Sequence, residues 1–190
     1  MTIKNHSRTL AAMLAVFMIA VMSPLLAGEK TEDQLIAELS STDAGKVADA
    51  MQALEKKYPT SSKAFPIMKK MLTDPREKVR RKAGRVLGVL HAEVDEQNIK
   101  DICTMLKAPS VDEQIDALKS LRGLKAPGAV PEILPLLKSP NSNVIRDACR
   151  TLAVLGNKDN IPAIEPLLAS PEAKVQKDAQ DAIFALKSKS

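Results

Sequence analysis

Few residues in this 190-residue chain combine the type and the spacing that chemistry requires. A metal centre needs three or four His, Cys, Asp or Glu side chains brought together. His91 has Glu93 and Asp95 close by, but the stretch HAEVDEQ, residues 91–97, reads as a solvated connection rather than a ligand set. Cys103 and Cys149 stand 46 residues apart, without metal-ligand spacing. An exported chain can join such a pair as a disulfide; the favoured reading is two separate, mostly buried thiols. No glycine-rich phosphate loop and no nucleophile motif occurs. The sequence therefore assigns no catalytic residue, no metal ligand and no cofactor, and an enzyme is not expected.

Cations remain. REKVRRKAGR, residues 76–85, places Arg76, Lys78, Arg80, Arg81, Lys82 and Arg85 in the densest basic run of the chain. Nucleic acid is not the expected partner, because beyond residue 27 the only aromatic side chains for stacking are Tyr58, Phe65 and Phe184. The run is also threaded by Val79, Ala83, Val86 and Leu87, so its charges form the solvated side of a packed helix. A second pattern is more pointed. Arg81, Ile115, Arg146 and Lys177 occupy matching places in a repeat, and four residues further on stand Arg85, Lys119, Arg150 and Asp181. A step of four keeps both columns on one helical face. Arg81, Arg85, Lys119, Arg146, Arg150 and Lys177 are thus the candidate binding residues, a basic strip suited to an acidic peptide, a protein loop or an anionic polymer. Asp116, Asp147 and Asp178 form a neighbouring acidic column that can neutralise the strip through local pairs. The formal net charge of +5 permits an acidic partner without demanding one.

The elements that must position these columns come from composition and repetition. Hydrophobic residues make up 45% of the chain and aromatics 2%, so the apolar mass is Ala, Leu, Val, Ile and Met, which favours helices over strands. Pro75, Pro109, Pro140 and Pro171 recur at spacings of 34, 31 and 31. Four residues after each come Val79, Glu113, Val144 and Val175; eight after, Ala83, Ala117, Ala148 and Ala179; twelve after, Leu87, Leu121, Leu152 and Ile183; fifteen after, Leu90, Leu124, Leu155 and Leu186. These steps draw one stripe on a helix, broken only by Glu113. Upstream, Leu72, Leu106, Leu137 and Leu168 precede the prolines by three residues, with Met68, Ile102, Ile133 and Ile164 at seven and Phe65, Ile99, Val130 and Ile161 at ten. Each unit therefore reads helix, tight turn, helix. Asp74 and Ser170 are read as N-caps followed by proline at the first helical position. Pro135 and Pro166, midway along their first helices, predict a bend. A further unit with Leu35, Leu39, Ala50 and Leu54 precedes these, opened by a Thr31/Gln34 capping box. One such hairpin cannot bury its own stripe, whereas stacked copies bury it for each other.

DPREKVRRKAGRVLGVL and VLGNKDNIPAIEPLLASPEAKV resemble HEAT repeats, in particular the short type of the phycobilin lyases. The resemblance covers residues 64–188 best and implies a right-handed α-solenoid of about five helical hairpins, with units near 29–60, 61–94, 95–126, 127–157 and 158–190. It also implies a scaffold that binds proteins on its surface, the alternative being a protein that handles a small molecule or chromophore. The iron-binding His-Glu pairs of HEAT-repeat hydroxylases do not occur here. The family's Arg after the Val is present only as Arg80; Gln114, Ile145 and Gln176 stand at the matching sites.

Residues 1–27 read differently. Lys4, His6 and Arg8 precede the uncharged LAAMLAVFMIAVM, then Ser23-Pro24 and LLAG. This is the layout of a secretory signal peptide cut after Ala27, leaving a net charge of +3 and sending the protein to a periplasm or outside the cell. The alternative is an uncleaved N-terminal membrane anchor; with cleavage, no stable membrane insertion is expected.

Overall fold

Apolar residues every three or four positions produce amphipathic helices, and ten α-helices form among the described residues, with no strand. The computed structural model describes residues 29–189; the segment read as a signal peptide, residues 1–27, lies outside the described residues. From Glu32 onward the chain is one compact unit of five successive helix pairs. These are α1 (Glu32–Glu38) with α2 (Ala44–Lys57), α3 (Ala64–Lys70) with α4 (Glu77–Val89), α5 (Glu96–Met105) with α6 (Val111–Gly123), α7 (Val130–Ile133) with α8 (Ser142–Leu155), and α9 (Ile161–Ile164) with α10 (Ala173–Lys187). The second helices stack in order, α2 on α4, α4 on α6, α6 on α8 and α8 on α10. Val79, Ala83, Leu87, Ala117, Leu121, Val144, Ala148, Leu152 and Ala179 are all fully buried in one continuous core. Leu35, Leu39, Ala50 and Leu54 of the first pair join the same core.

Three local features depart from the sequence expectations. The caps of the second helices fall later than Asp74 and Ser170. Those side chains accept from the amides of Arg76 (2.9 Å) and Glu172 (3.3 Å), closing a tight side-chain turn, and the helices begin at Glu77 and Ala173. Pro135 and Pro166 do more than bend an α-helix. Each lacks the N–H that would bond four residues back, so α7 and α9 stop after one turn and continue as 3-10 segments, Leu134–Lys138 and Glu165–Ala169. Finally, Leu168 is 46% exposed, whereas Leu72 and Leu106 of the same column are 1% exposed. Among the described residues no further hairpin stacks beyond α9 and α10, so Leu168 and the 75%-exposed Phe184 lack the cover that earlier units supply.

Helices α4 and α6 end alike. His91 and Lys125 take positive φ (48° and 51°), and the residues after them bond back, Ala92 N to Leu87 O (3.0 Å) and Ala126 N to Leu121 O (3.2 Å). A left-handed conformation costs a side-chain-bearing residue about 1 kcal/mol or more. Lys125→Gly is therefore expected to stabilise the protein by about 0.5–1 kcal/mol, read as a higher urea midpoint. No gain at that position would mean that the lysine makes a compensating contact. His91→Gly is expected to gain less, because His91 Nδ1 donates to the Gly123 carbonyl at 2.6 Å. That bond gives His91 a structural task joining two units.

Candidate functional site

The stacked second helices decide what happens to the basic strip. At three successive joints one Arg of a unit reaches the Asp of the next: Arg81 to Asp116, Arg122 to Asp147 and Arg146 to Asp178. Arg81 Nε donates to Asp116 (2.8 Å) and its other nitrogens approach Glu77 and Asp112, both at 3.3 Å. Arg146 and Arg150 share Asp178 at 2.7 and 3.0 Å. Arg122 stands 3.7 Å from Asp147. Lys177 pairs within its own helix with Asp181 (2.6 Å). The acidic column thus neutralises Arg81, Arg146 and Arg150 through inter-unit bonds, which hold the stack in register more than they offer charge to a ligand.

Arg85 and Lys119 differ. Both are exposed, and neither has a hydrogen-bond or ion-pair partner among the described residues. Together with Arg81 they line an open groove of about 760 Å³ that crosses α2, α4 and α6. The other walls are Ala48, Asp49 and Gln52 from α2, Glu77, Lys78 and Lys82 from α4, and Asp116 from α6. Arg146, Arg150 and Lys177 lie outside it. The strip is therefore split: its first half borders a groove, and its second half is engaged in ion pairs, Arg146 and Arg150 between units and Lys177 within its own helix.

Lys82 and Lys78 escaped the column reading. Lys82 is 8% exposed although charged, with Nζ 3.4 Å from Gln52 Oε1 and 3.9 Å from Glu55 Oε2. Its burial pushes the ammonium below the ordinary lysine range, and Arg85 adds repulsion against the partial relief given by Glu55 and Asp49. The sequence signal was available: Lys82 sits three residues before Arg85 and beside Ala83, at the edge of the buried stripe.

Another pair missed as a pair is Arg80 with Glu113. The single acidic break in the apolar stripe and the single surviving family Arg meet each other. Arg80 Nε and Nη2 donate to the two Glu113 oxygens at 2.8 and 3.0 Å, and Nη1 donates to the carbonyls of Asp74 (2.8 Å) and Pro75 (2.9 Å). The bidentate partner raises the Arg80 pKa above its already high value.

The two cysteines are free and buried. Burial pushes Cys103 up to about 11, helped by the Glu132 charge, and Cys149 up to about 12, helped by Asp178. Neither offers a thiolate near neutrality, about one molecule in a thousand or fewer at pH 8. A chromogenic disulfide reagent at pH 8 is expected to label neither thiol in the native protein and both once it is unfolded; rapid labelling of the native chain would overturn that placement. Among the described residues no group of three or more His, Cys, Asp or Glu could hold a metal ion, and no helix is long and apolar enough to cross a membrane.

Helix pairs stacked on one continuous core, with a groove across their second helices, define an α-solenoid repeat protein. Residues 99–183 match the family model of HEAT repeats, so that stretch of the chain is built of HEAT repeats. It is similar to the complex of CpcE and CpcF of phycocyanin lyase from Nostoc sp. PCC7120, at 25% identity and a TM-score of 0.73, over 86% of this chain and 68% of that one. An engineered protein matches at 24% identity and a TM-score of 0.64, over 83% of this chain and 79% of that one. A designed armadillo repeat protein in complex with the peptide (KR)4 matches at 18% identity and a TM-score of 0.61, over 80% of both chains. No curated protein matches the sequence.

Proposed function

We propose that this chain is an exported, non-enzymatic HEAT-repeat scaffold that binds a protein partner on the face of its second helices. The groove across α2, α4 and α6 carries this reading: it is open, it is lined almost wholly by charged and polar side chains, and three of its cations, Lys78, Arg85 and Lys119, have no hydrogen-bond or ion-pair partner among the described residues. Surfaces of this kind suit a segment of another chain better than a small apolar ligand, which needs an enclosed and mostly apolar pocket. The solved relatives support the class, since one is a complex of two such subunits and another holds a peptide. Export rests on residues 1–27 alone. The second reading is a chromophore-handling protein, favoured by the likeness to the phycocyanin lyase complex.

The test is capture from an envelope extract by the purified chain starting at Gly28, followed by reconstitution from separately purified components. A protein that re-forms a stoichiometric complex supports the scaffold. A coloured or ultraviolet-absorbing small molecule that co-purifies, with no protein retained, promotes the second reading and removes the first.

A further inference from the structure

Building on the scaffold reading, we infer that the groove across α2, α4 and α6 is a docking site for an extended acidic peptide segment, whose carboxylates are received by Arg85, Lys119 and Lys82. Charge is the first reason. The groove is lined by Lys78, Arg81, Lys82, Arg85 and Lys119 against three carboxylates, Asp49, Glu77 and Asp116. Two of those carboxylates are already spent, because Arg81 binds both Glu77 and Asp116, and Ser110 Oγ also donates to Glu77 (2.8 Å). Only Asp49 is left to offset the remaining cations from within the groove, and its charge, with that of Glu55 behind it, acts on Lys82. Arg85 and Lys119 are left without a carboxylate partner among the described residues.

Lys82 supplies the second reason. An ammonium has three donors, and the protein meets them with one long hydrogen bond to Gln52 Oε1 (3.4 Å) and a distant ion pair to Glu55 Oε2 (3.9 Å). Burial first, and then the repulsion of Arg85, both oppose its charged form. An anion placed between Lys82 and Arg85 removes that repulsion, so binding relieves a cost that the free protein carries.

The third reason is reach. The groove walls come from the second helices of three consecutive units, and packed helices lie about 8–10 Å apart. The span is then roughly 16–20 Å, five or six residues of extended chain. A single compact anion engages one end of it only. Nucleic acid lacks what it uses on such surfaces, since no aromatic side chain lines the groove.

The experiment is fluorescence anisotropy of labelled hexaglutamate with the purified chain, beside hexalysine, a six-nucleotide oligothymidylate and inorganic phosphate as competitor. Hexaglutamate is expected to bind, to weaken with salt, and to lose about tenfold or more in affinity in Arg85→Gln/Lys119→Gln. Lys177→Gln, a cation outside the groove, is expected to leave binding unchanged. Both exchanged groove residues are exposed, and unchanged thermal melts of the variants confirm that the fold is intact. Absence of hexaglutamate binding, equal binding of oligothymidylate, full displacement by millimolar phosphate, or indifference to Arg85→Gln/Lys119→Gln each overturns the inference. A captured protein partner that still binds the double variant would leave the scaffold in place and move its site off this groove.

Discussion

Arg80→Gln alone is expected to destabilise the protein by about 3–5 kcal/mol, Glu113→Val alone by about 1–2 kcal/mol, and the two together by less than about 1 kcal/mol. The asymmetry follows from what each change leaves behind. Glu113 is 2% exposed, and without Arg80 its carboxylate is buried with no cation to meet it. Removing Glu113 instead leaves Arg80 with two backbone carbonyls and partial contact with solvent. The double change copies a solution already present one unit later. There Gln114 stands where Arg80 does, its Nε2 donating to the Ala108 carbonyl (2.8 Å), and Val144, fully buried, occupies the place of Glu113. Gln176 repeats the same bond to Ser170 O (2.6 Å). The chain thus holds two interchangeable ways to close one joint, an ion pair and a glutamine over a valine. Urea unfolding of the four proteins checks this; additive effects would mean that the pair is not one unit.

That joint shows how legible the sequence was. The helix pairs, the apolar columns and the stacking could be read because a repeat tests each position several times, and an error in one unit is corrected by the others. Glu113 and the lone Arg80 each looked like a fault in the pattern because each was compared with its own column. Their meaning is a contact between neighbouring columns of successive units, and a column read alone carries no information about it. The basic strip shows the same limit. Arg81, Arg146 and Arg150 were aligned correctly on one face, and so were Asp116 and Asp178, yet only the inter-unit distance shows that the second set consumes the charge of the first. Lys82 was hidden for a different reason: its stem belongs to the buried stripe while its ammonium belongs to the groove, a division that a hydrophobic period averages away. Leu168 marks the opposite limit, since it keeps the repeat's residue type where, among the described residues, no further unit packs over it.

Gly88→Ala and Gly123→Ala are each expected to lower stability by about 2 kcal/mol, a fall in melting temperature of roughly 4–8 °C. Helix propensity points the other way: in a helix interior, replacing Gly by Ala gains about 1 kcal/mol. Packing decides the sign. A Cβ on Gly88 would stand 2.9 Å from Ser120 Cα and 3.0 Å from Ser120 O, and a Cβ on Gly123 would collide with the Gly88 carbonyl. The obstructing atoms are backbone, so no side chain can swing aside and α4 must move away from α6. The same two helices carry Arg85 and Lys119, and the Gly123 carbonyl also receives His91 Nδ1. Displacement therefore loosens the groove and the His91 bond together, and hexaglutamate affinity should fall along with stability. Gly128→Ala is the matched control, for nothing lies within 4 Å of its added methyl group. If Gly88→Ala proved as stable as the parent, the close approach of α4 and α6 would be a place where the helices can slide. The spacing of Arg85 and Lys119 would then be set by the bridge from Arg81 to Asp116 instead of by backbone contact.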